Sequence, residues 1–133
     1  APLPALLGPT QPSGDAPLTY DYLLTLLRRV SSPPSALIFK RPVTEKDAAG
    51  YSSRILFPMD LSLVRKMITT DLIATLPELS AALALMCHNC VKFNGPDSDY
   101  AAMTRDFERE ARAVLQAAGT GGEAKGHIRA GGA

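Results

Sequence analysis

Residues 85 to 100 read LMCHNCVKFNGPDSDY. An apolar helical run reaches Phe93-Asn94, stops at Gly95-Pro96 and restarts behind Asp97 and Ser98, either of which suits a helix N-cap. Asn94 therefore stands at a helix C-terminus, where glycine and proline forbid continuation and backbone carbonyls run out of partners. A carboxamide there has one acceptor and two donors, so it can read a ligand carbonyl while its own carbonyl is held by the loop. On this ground Asn94 is the candidate functional residue. Asparagine is also a favoured helix terminator, and the surrounding chain has to decide between the two readings.

Upstream, Thr75-Leu76-Pro77-Glu78 fits a capping box with proline tolerable in the first turn, and it opens the helix that runs to Asn94. Leu79, Leu83, Met86, Cys90 and Phe93 form its core stripe, and Ala81, Ala82 and Ala84 allow close helix approach. Asp60 caps an earlier helix to about Thr69, with Leu61, Val64, Met67 and Ile68 on one face and Arg65-Lys66 on the other. Downstream, a helix from about Ser98 to Ala117 is expected to bury Tyr100, Met103, Phe107, Ala111, Val114 and Leu115. The first helix lies within Leu18 to Val30. Its apolar positions are 20, 23, 24, 27 and 30, Thr19 is its candidate N-cap, and Pro33-Pro34 ends it. Four helices without a credible strand pattern predict an all-α fold, a left-handed antiparallel four-helix bundle with a long loop between the first and second helices.

That loop, Ser35 to Pro58, shows no sustained helical period and is rich in Pro, Gly, Ser and mixed charge. Two dozen irregular residues inside a compact domain point to function. Leu37, Phe39, Val43, Tyr51, Ile55, Leu56 and Phe57 are more apolar than a solvated loop requires, and the last three are expected to staple the loop to the bundle.

The 133 residues leave room for one core flanked by tails. Residues 1–17 hold five of the eleven prolines and read as a disordered arm, 18–117 as the bundle, and the Gly-rich stretch 118–133 as a flexible tail. A hydrophobic content of 46% with a net charge of +1 argues for a soluble domain and against general electrostatic binding to nucleic acid. No apolar run approaches the ~20 residues that span a bilayer, and the chain reads as intracellular, with reduced thiols.

The long loop ending in FPMDLSLVRKMI, followed by a helix ending in NCVKFNGPDSDY, resembles a bromodomain, the acetyl-lysine-reading four-helix bundle. The resemblance covers about residues 18 to 117, and the PMDL segment together with the Asn-x-Pro-x-Ser junction is a specific pair of signals. It implies that Asn94 donates to the acetyl carbonyl and that Tyr51, seven residues before Pro58, holds the same oxygen through a water. It also implies Phe39 as the floor against the acetyl methyl, Val43 as an apolar wall and Tyr100 as gatekeeper, with Phe93 and Cys90 beside the asparagine. Leu37 stands where the family often carries a shelf tryptophan, Phe93 where tyrosine is common, and the loop is about two residues short between Val43 and Tyr51, with Ala48 and Ala49 in place of larger residues. The implied partner is an acetylated histone tail or another acetylated protein, in the nucleus, read by a monomeric module that is no enzyme and needs no cofactor.

The chemistry suits these residue types independently. Acetylation converts an ammonium into a neutral amide with one strong acceptor, a methyl and an apolar stem. Apolar walls and one placed donor recognise that group, and none of the residues named is an anion that would hold free lysine. Glu45, Asp47, Asp97 and Asp99 are candidates for an acidic rim attracting basic histone residues, or else for a solvated loop. Three rival readings remain. Cys87-His88-Asn89-Cys90 contains a C-x-x-C, but it lies mid-helix and offers too few ligands for zinc, so both cysteines read as core residues. A nucleic-acid surface would draw on basic residues dispersed over three segments. A protein-interaction scaffold with a weak or non-reading pocket is the remaining alternative, given the altered shelf.

Overall fold

A computed structural model describes residues 16–120. Of the expected arm, 1–17, and tail, 118–133, residues 1–15 and 121–133 lie outside the described residues, while residues 118–120 continue the last helix. Among the described residues all regular structure beyond isolated bridging is helical, and four long helices form the bundle.

Helix α1, Tyr20–Ser31, starts where the Thr19 hydroxyl accepts from the Tyr22 amide at 3.1 Å. Such a cap stabilises by about 1 kcal/mol. Its buried face is Tyr22, Leu23, Leu26, Leu27 and Val30, with Tyr22 and Leu26 in place of the expected Tyr20 and the only partly buried Leu24. Tyr20 is not part of it: the ring is half exposed and its hydroxyl donates to Asp71 at 3.0 Å. A tyrosine at a helix start finds a polar partner more cheaply than it buries its hydroxyl.

A single turn, α2, Tyr51–Arg54, precedes α3, Leu61–Thr69. The Asp60 carboxylate accepts from the Ser62 amide at 2.9 Å to cap α3, which buries Leu61, Val64 and Ile68. Helix α4, Leu76–Asn94, carries both halves of the Thr75/Glu78 capping box, at 3.1 and 3.2 Å. It buries Leu76, Leu79, Ala82, Leu83, Ala84, Met86 and Cys87, a broad face that leaves Glu78, Ala81, His88 and Lys92 exposed on the other side. Helix α5, Asp99–Thr120, packs on α4 and α1, while α1 also packs on α3.

The buried face of α5 is Ala101, Thr104, Phe107, Ala111 and Leu115. Against expectation Tyr100 is half exposed, and Met103 and Val114 are only partly buried. The small residues Ala101 and Thr104 turn toward α4, and the Thr104 hydroxyl is satisfied by donating to the Tyr100 carbonyl at 2.8 Å.

The long connection is less irregular than its composition suggests. A 3-10 helix, Pro34–Phe39, opens it, and α2 follows Gly50, whose φ of 85° is a left-handed conformation that side chains disfavour. Ile55 is buried, but Leu56 and Phe57 are 74% and 71% exposed, which corrects the expectation that all three staple the loop. The backbone makes the attachment instead: the buried Asn89 donates from Nδ2 to the Phe57 carbonyl at 2.9 Å. That bond satisfies a helix amide group that would be costly to bury alone.

Candidate functional site

The loop and the α4–α5 junction enclose a cleft of about 1050 Å³. Each wall has a local cause. The 3-10 helix buries Ala36 and Phe39, and the Phe39 ring packs at 5.0 Å on Phe107, so the floor of the cleft rests on the bundle core. Leu37, in the same turn, remains 65% exposed along the cleft edge. Val43 also lines the cleft and is partly open to solvent.

On the opposite side α4 ends at Asn94, because Gly95 adopts φ 95°. The Ser98 hydroxyl donates to the Gly95 carbonyl at 2.7 Å and accepts from the Ala101 amide at 3.0 Å, starting α5 immediately. Arg105 ties the Pro96 carbonyl at 3.3 Å. This turn fixes Asn94 and Tyr100 on one rim of the cleft.

Asn94 donates from Nδ2 to the Cys90 carbonyl at 2.9 Å, with the Cys90 sulfur 3.7 Å away. Its own helix therefore orients the amide, where the sequence suggested the loop, through one strong acceptor, the carbonyl, and one weak one, the sulfur. Burial pushes the Cys90 thiol pKa up, with Thr104 and Asn94 pulling partly back, so this wall is neutral. Cys87 is buried deeper and its thiol is pushed up further by that burial; both cysteines are free.

Tyr51 is buried, and its ring meets Phe93 edge-on with centroids 5.0 Å apart. The Arg54 guanidinium lies 4.9 Å from the Phe93 centroid and donates to the Lys92 carbonyl at 3.2 Å. This stack ties the turn carrying Tyr51 to the end of the helix carrying Asn94. Burial first, then Cys90 and Asp60, push the Tyr51 phenol pKa up, so it is a neutral donor. Among the described residues its hydroxyl bonds no protein group.

All eight candidate residues, Leu37, Phe39, Val43, Tyr51, Cys90, Phe93, Asn94 and Tyr100, line this one cleft. So do Met59 and Met86, which sequence reasoning missed as pocket residues because both sit in ordinary apolar patterns. Asp47 and Asp60 line it too, so the walls are not free of anions as expected. The Asp60 carboxylate is buried and engaged by the amide and hydroxyl of Ser62.

The expected acidic rim is only partly formed. Asp47 lines the cleft, whereas Asp97 and Asp99 are not among its lining residues. Glu45 turns back on its own loop, accepting from the Gly50 and Ser52 amides at 2.9 and 2.6 Å. Those bonds, Ser52 first, hold its carboxyl pKa below the ordinary 4.5. The folded chain thus takes up this proton less readily than the unfolded chain. Its contribution is present above the unfolded value and is lost as pH falls through the lower folded one. The Gly50 and Ser52 amide shifts are expected to titrate together with a midpoint below 4.5; a midpoint at or above it would contradict this loop geometry.

The bromodomain family model matches residues 23–106. The chain belongs to the bromodomain family. It is 33% identical over 91 residues to bromodomain-containing protein 9 of Danio rerio, covering 68% of this chain and 14% of that protein. Bromodomain-containing protein 7 of Gallus gallus is 32% identical over 99 residues, 74% of this chain and 15% of the relative. Bromodomain-containing protein 9 of Homo sapiens is 33% identical over 92 residues, 68% and 15% respectively. The bromodomain thus matches only about a seventh of the length of these relatives. Bromodomains are binding modules for acetyl-lysine. No described helix is long and apolar enough to cross a membrane.

Leu37 is exposed at the cleft edge, where an indole would offer a larger flat surface. Leu37→Trp is expected to tighten binding of an acetylated peptide about 2- to 10-fold without tightening the unmodified one, as a titration of both peptides would read. Equal tightening of both would mean a generic apolar surface, and no change would place residue 37 away from the ligand.

Proposed function

We propose that this bromodomain reads N-acetyl-lysine in the cleft between the long loop and the α4–α5 turn. The observation that carries the reading is the meeting of two neutral donors on one apolar cleft: the Asn94 amide, whose Nδ2 holds the Cys90 carbonyl at 2.9 Å and otherwise only the weak sulfur acceptor at 3.7 Å, and the buried Tyr51 hydroxyl, with no protein partner among the described residues. A buried hydroxyl of this kind calls for a water or a ligand.

In this reading the acetyl oxygen accepts directly from Asn94 Nδ2, and Tyr51 reaches the same oxygen through a water. Phe39 takes the acetyl methyl, Val43 and Phe93 flank the stem, Cys90 closes the wall beside Asn94, and Leu37 and Tyr100 meet the backbone of the ligand at the mouth. Free lysine is disfavoured because its ammonium would lose its hydration against these walls, while the Asp60 carboxylate is already engaged by Ser62. The natural ligand is an acetylated segment of a histone tail or another nuclear protein, and the module acts as a monomer linking acetylated chromatin to transcription.

Backbone amide spectra recorded during titration with N-acetyl-lysine methylamide test the site. Shifts confined to Phe39, Val43, Tyr51, Cys90 and Asn94 and their neighbours are expected. Saturable binding that leaves those residues unmoved would favour an interaction scaffold with a non-reading pocket.

A further inference from the structure

Beyond Phe39 the chain turns outward, and the next two residues, Lys40 and Arg41, are both exposed and both line the cleft. Among the described residues neither side chain makes a hydrogen bond or an ion pair; the one ion pair formed is Arg109 with Asp106, on α5. The acids that could neutralise them are placed elsewhere. Glu45, four residues beyond Arg41, holds the Gly50 and Ser52 amides, and Asp60 caps α3. Only Asp47 adds an exposed, uncommitted carboxylate to the lining.

The open edge of the cleft therefore presents two unpaired cations against one anion. Unpaired cations at a binding edge draw anions and repel cations within a Debye length, about 8 Å at physiological salt. Residues flanking an acetyl-lysine fall within that range, since neighbouring Cα atoms are about 3.8 Å apart.

We infer that Lys40 and Arg41 make this cleft select acetyl-lysine flanked by an anionic side chain, a carboxylate or a phosphate, over acetyl-lysine in a strongly basic segment. The inference rests on the acetyl-lysine reading above and narrows its ligand class. Histone segments dense in free lysine and arginine are then poor ligands, and acetylation sites beside Asp, Glu or a phosphorylated serine are good ones.

The test is calorimetric titration of the full 133-residue chain with four acetylated peptides of one scaffold, whose flanking residues are Ala, Glu, phosphoserine or Lys. Glu or phosphoserine peptides are expected to bind about 3- to 10-fold tighter than the Lys peptide at low salt, the gap shrinking as salt rises. A larger gain for phosphoserine than for Glu identifies phosphate as the preferred anion, and equal gains identify charge alone. In the Lys40→Glu, Arg41→Glu double variant the order is expected to invert. Binding of all four peptides with equal affinity, or an order unchanged in the double variant, would overturn the inference while leaving the acetyl-lysine reading standing. Failure of every acetylated peptide to bind would overturn both.

Discussion

Replacing Asn94 by alanine is expected to weaken binding of an acetylated peptide about 5- to 150-fold. The figure follows from the cost of about 1 to 3 kcal/mol for a carbonyl buried without its donor. Asn94→Asp is expected to be at least as damaging, because a carboxylate offers only acceptors to an acceptor. Asn94 also donates to the Cys90 carbonyl on an exposed helix end, so its removal costs the fold little. A melting curve for each variant separates the two effects. Lost binding with an unchanged transition assigns the loss to the ligand contact, whereas undiminished binding by a folded Asn94→Ala variant would remove Asn94 from the site.

The largest stability effect is expected at Phe107. It is fully buried and supports Phe39 across 5.0 Å, so it belongs to the core and backs a residue that lines the cleft. Phe107→Ala is expected to destabilise the domain by about 3 to 5 kcal/mol, from lost transfer energy and the cavity left behind. That is a large share of the stability of about 5 to 15 kcal/mol typical of a domain. Urea unfolding measures it, and peptide affinity is expected to fall even under conditions where the variant remains folded, because Phe39 loses its backing. Phe107→Leu, which keeps most of the volume, is expected to restore most of both. A loss below about 1 kcal/mol for Phe107→Ala would contradict the packing described here.

What could be read from the sequence was local. Thr19, Asp60 and the Thr75/Glu78 pair cap helices in the structure as their residue types suggested, because a cap involves only the next three residues. The stripes of α3 and α4 followed from periodicity, while at the start of α5 Ala101 and Thr104 are buried in place of the expected Tyr100 and Met103. Ala101 and Thr104 carry no hydrophobic signal, yet they face the core. The 3-10 helix and α2 are too short to show a period at all. The candidate site residues were legible because they bracket recognisable turns, and the structure gathers them on one cleft.

The features that escaped depend on partners distant in the chain. Asn89 holds a carbonyl 32 positions away, and nothing in a helix marks a buried asparagine as a loop anchor. Leu56 and Phe57 looked like core residues, but that anchor fixes the backbone and leaves both side chains in solvent. Glu45 and Asp47 were equivalent as letters; only the loop conformation separates the carboxylate that folds inward from the one at the cleft.

The central claim is that this cleft distinguishes acetyl-lysine from lysine. Calorimetric titration of the chain with one peptide prepared in acetylated and unmodified forms tests it most directly. The account predicts saturable one-to-one binding of the acetylated form and at least about tenfold weaker binding of the unmodified form, the latter carrying the cost of desolvating an ammonium. Equal affinity for the two forms would contradict it.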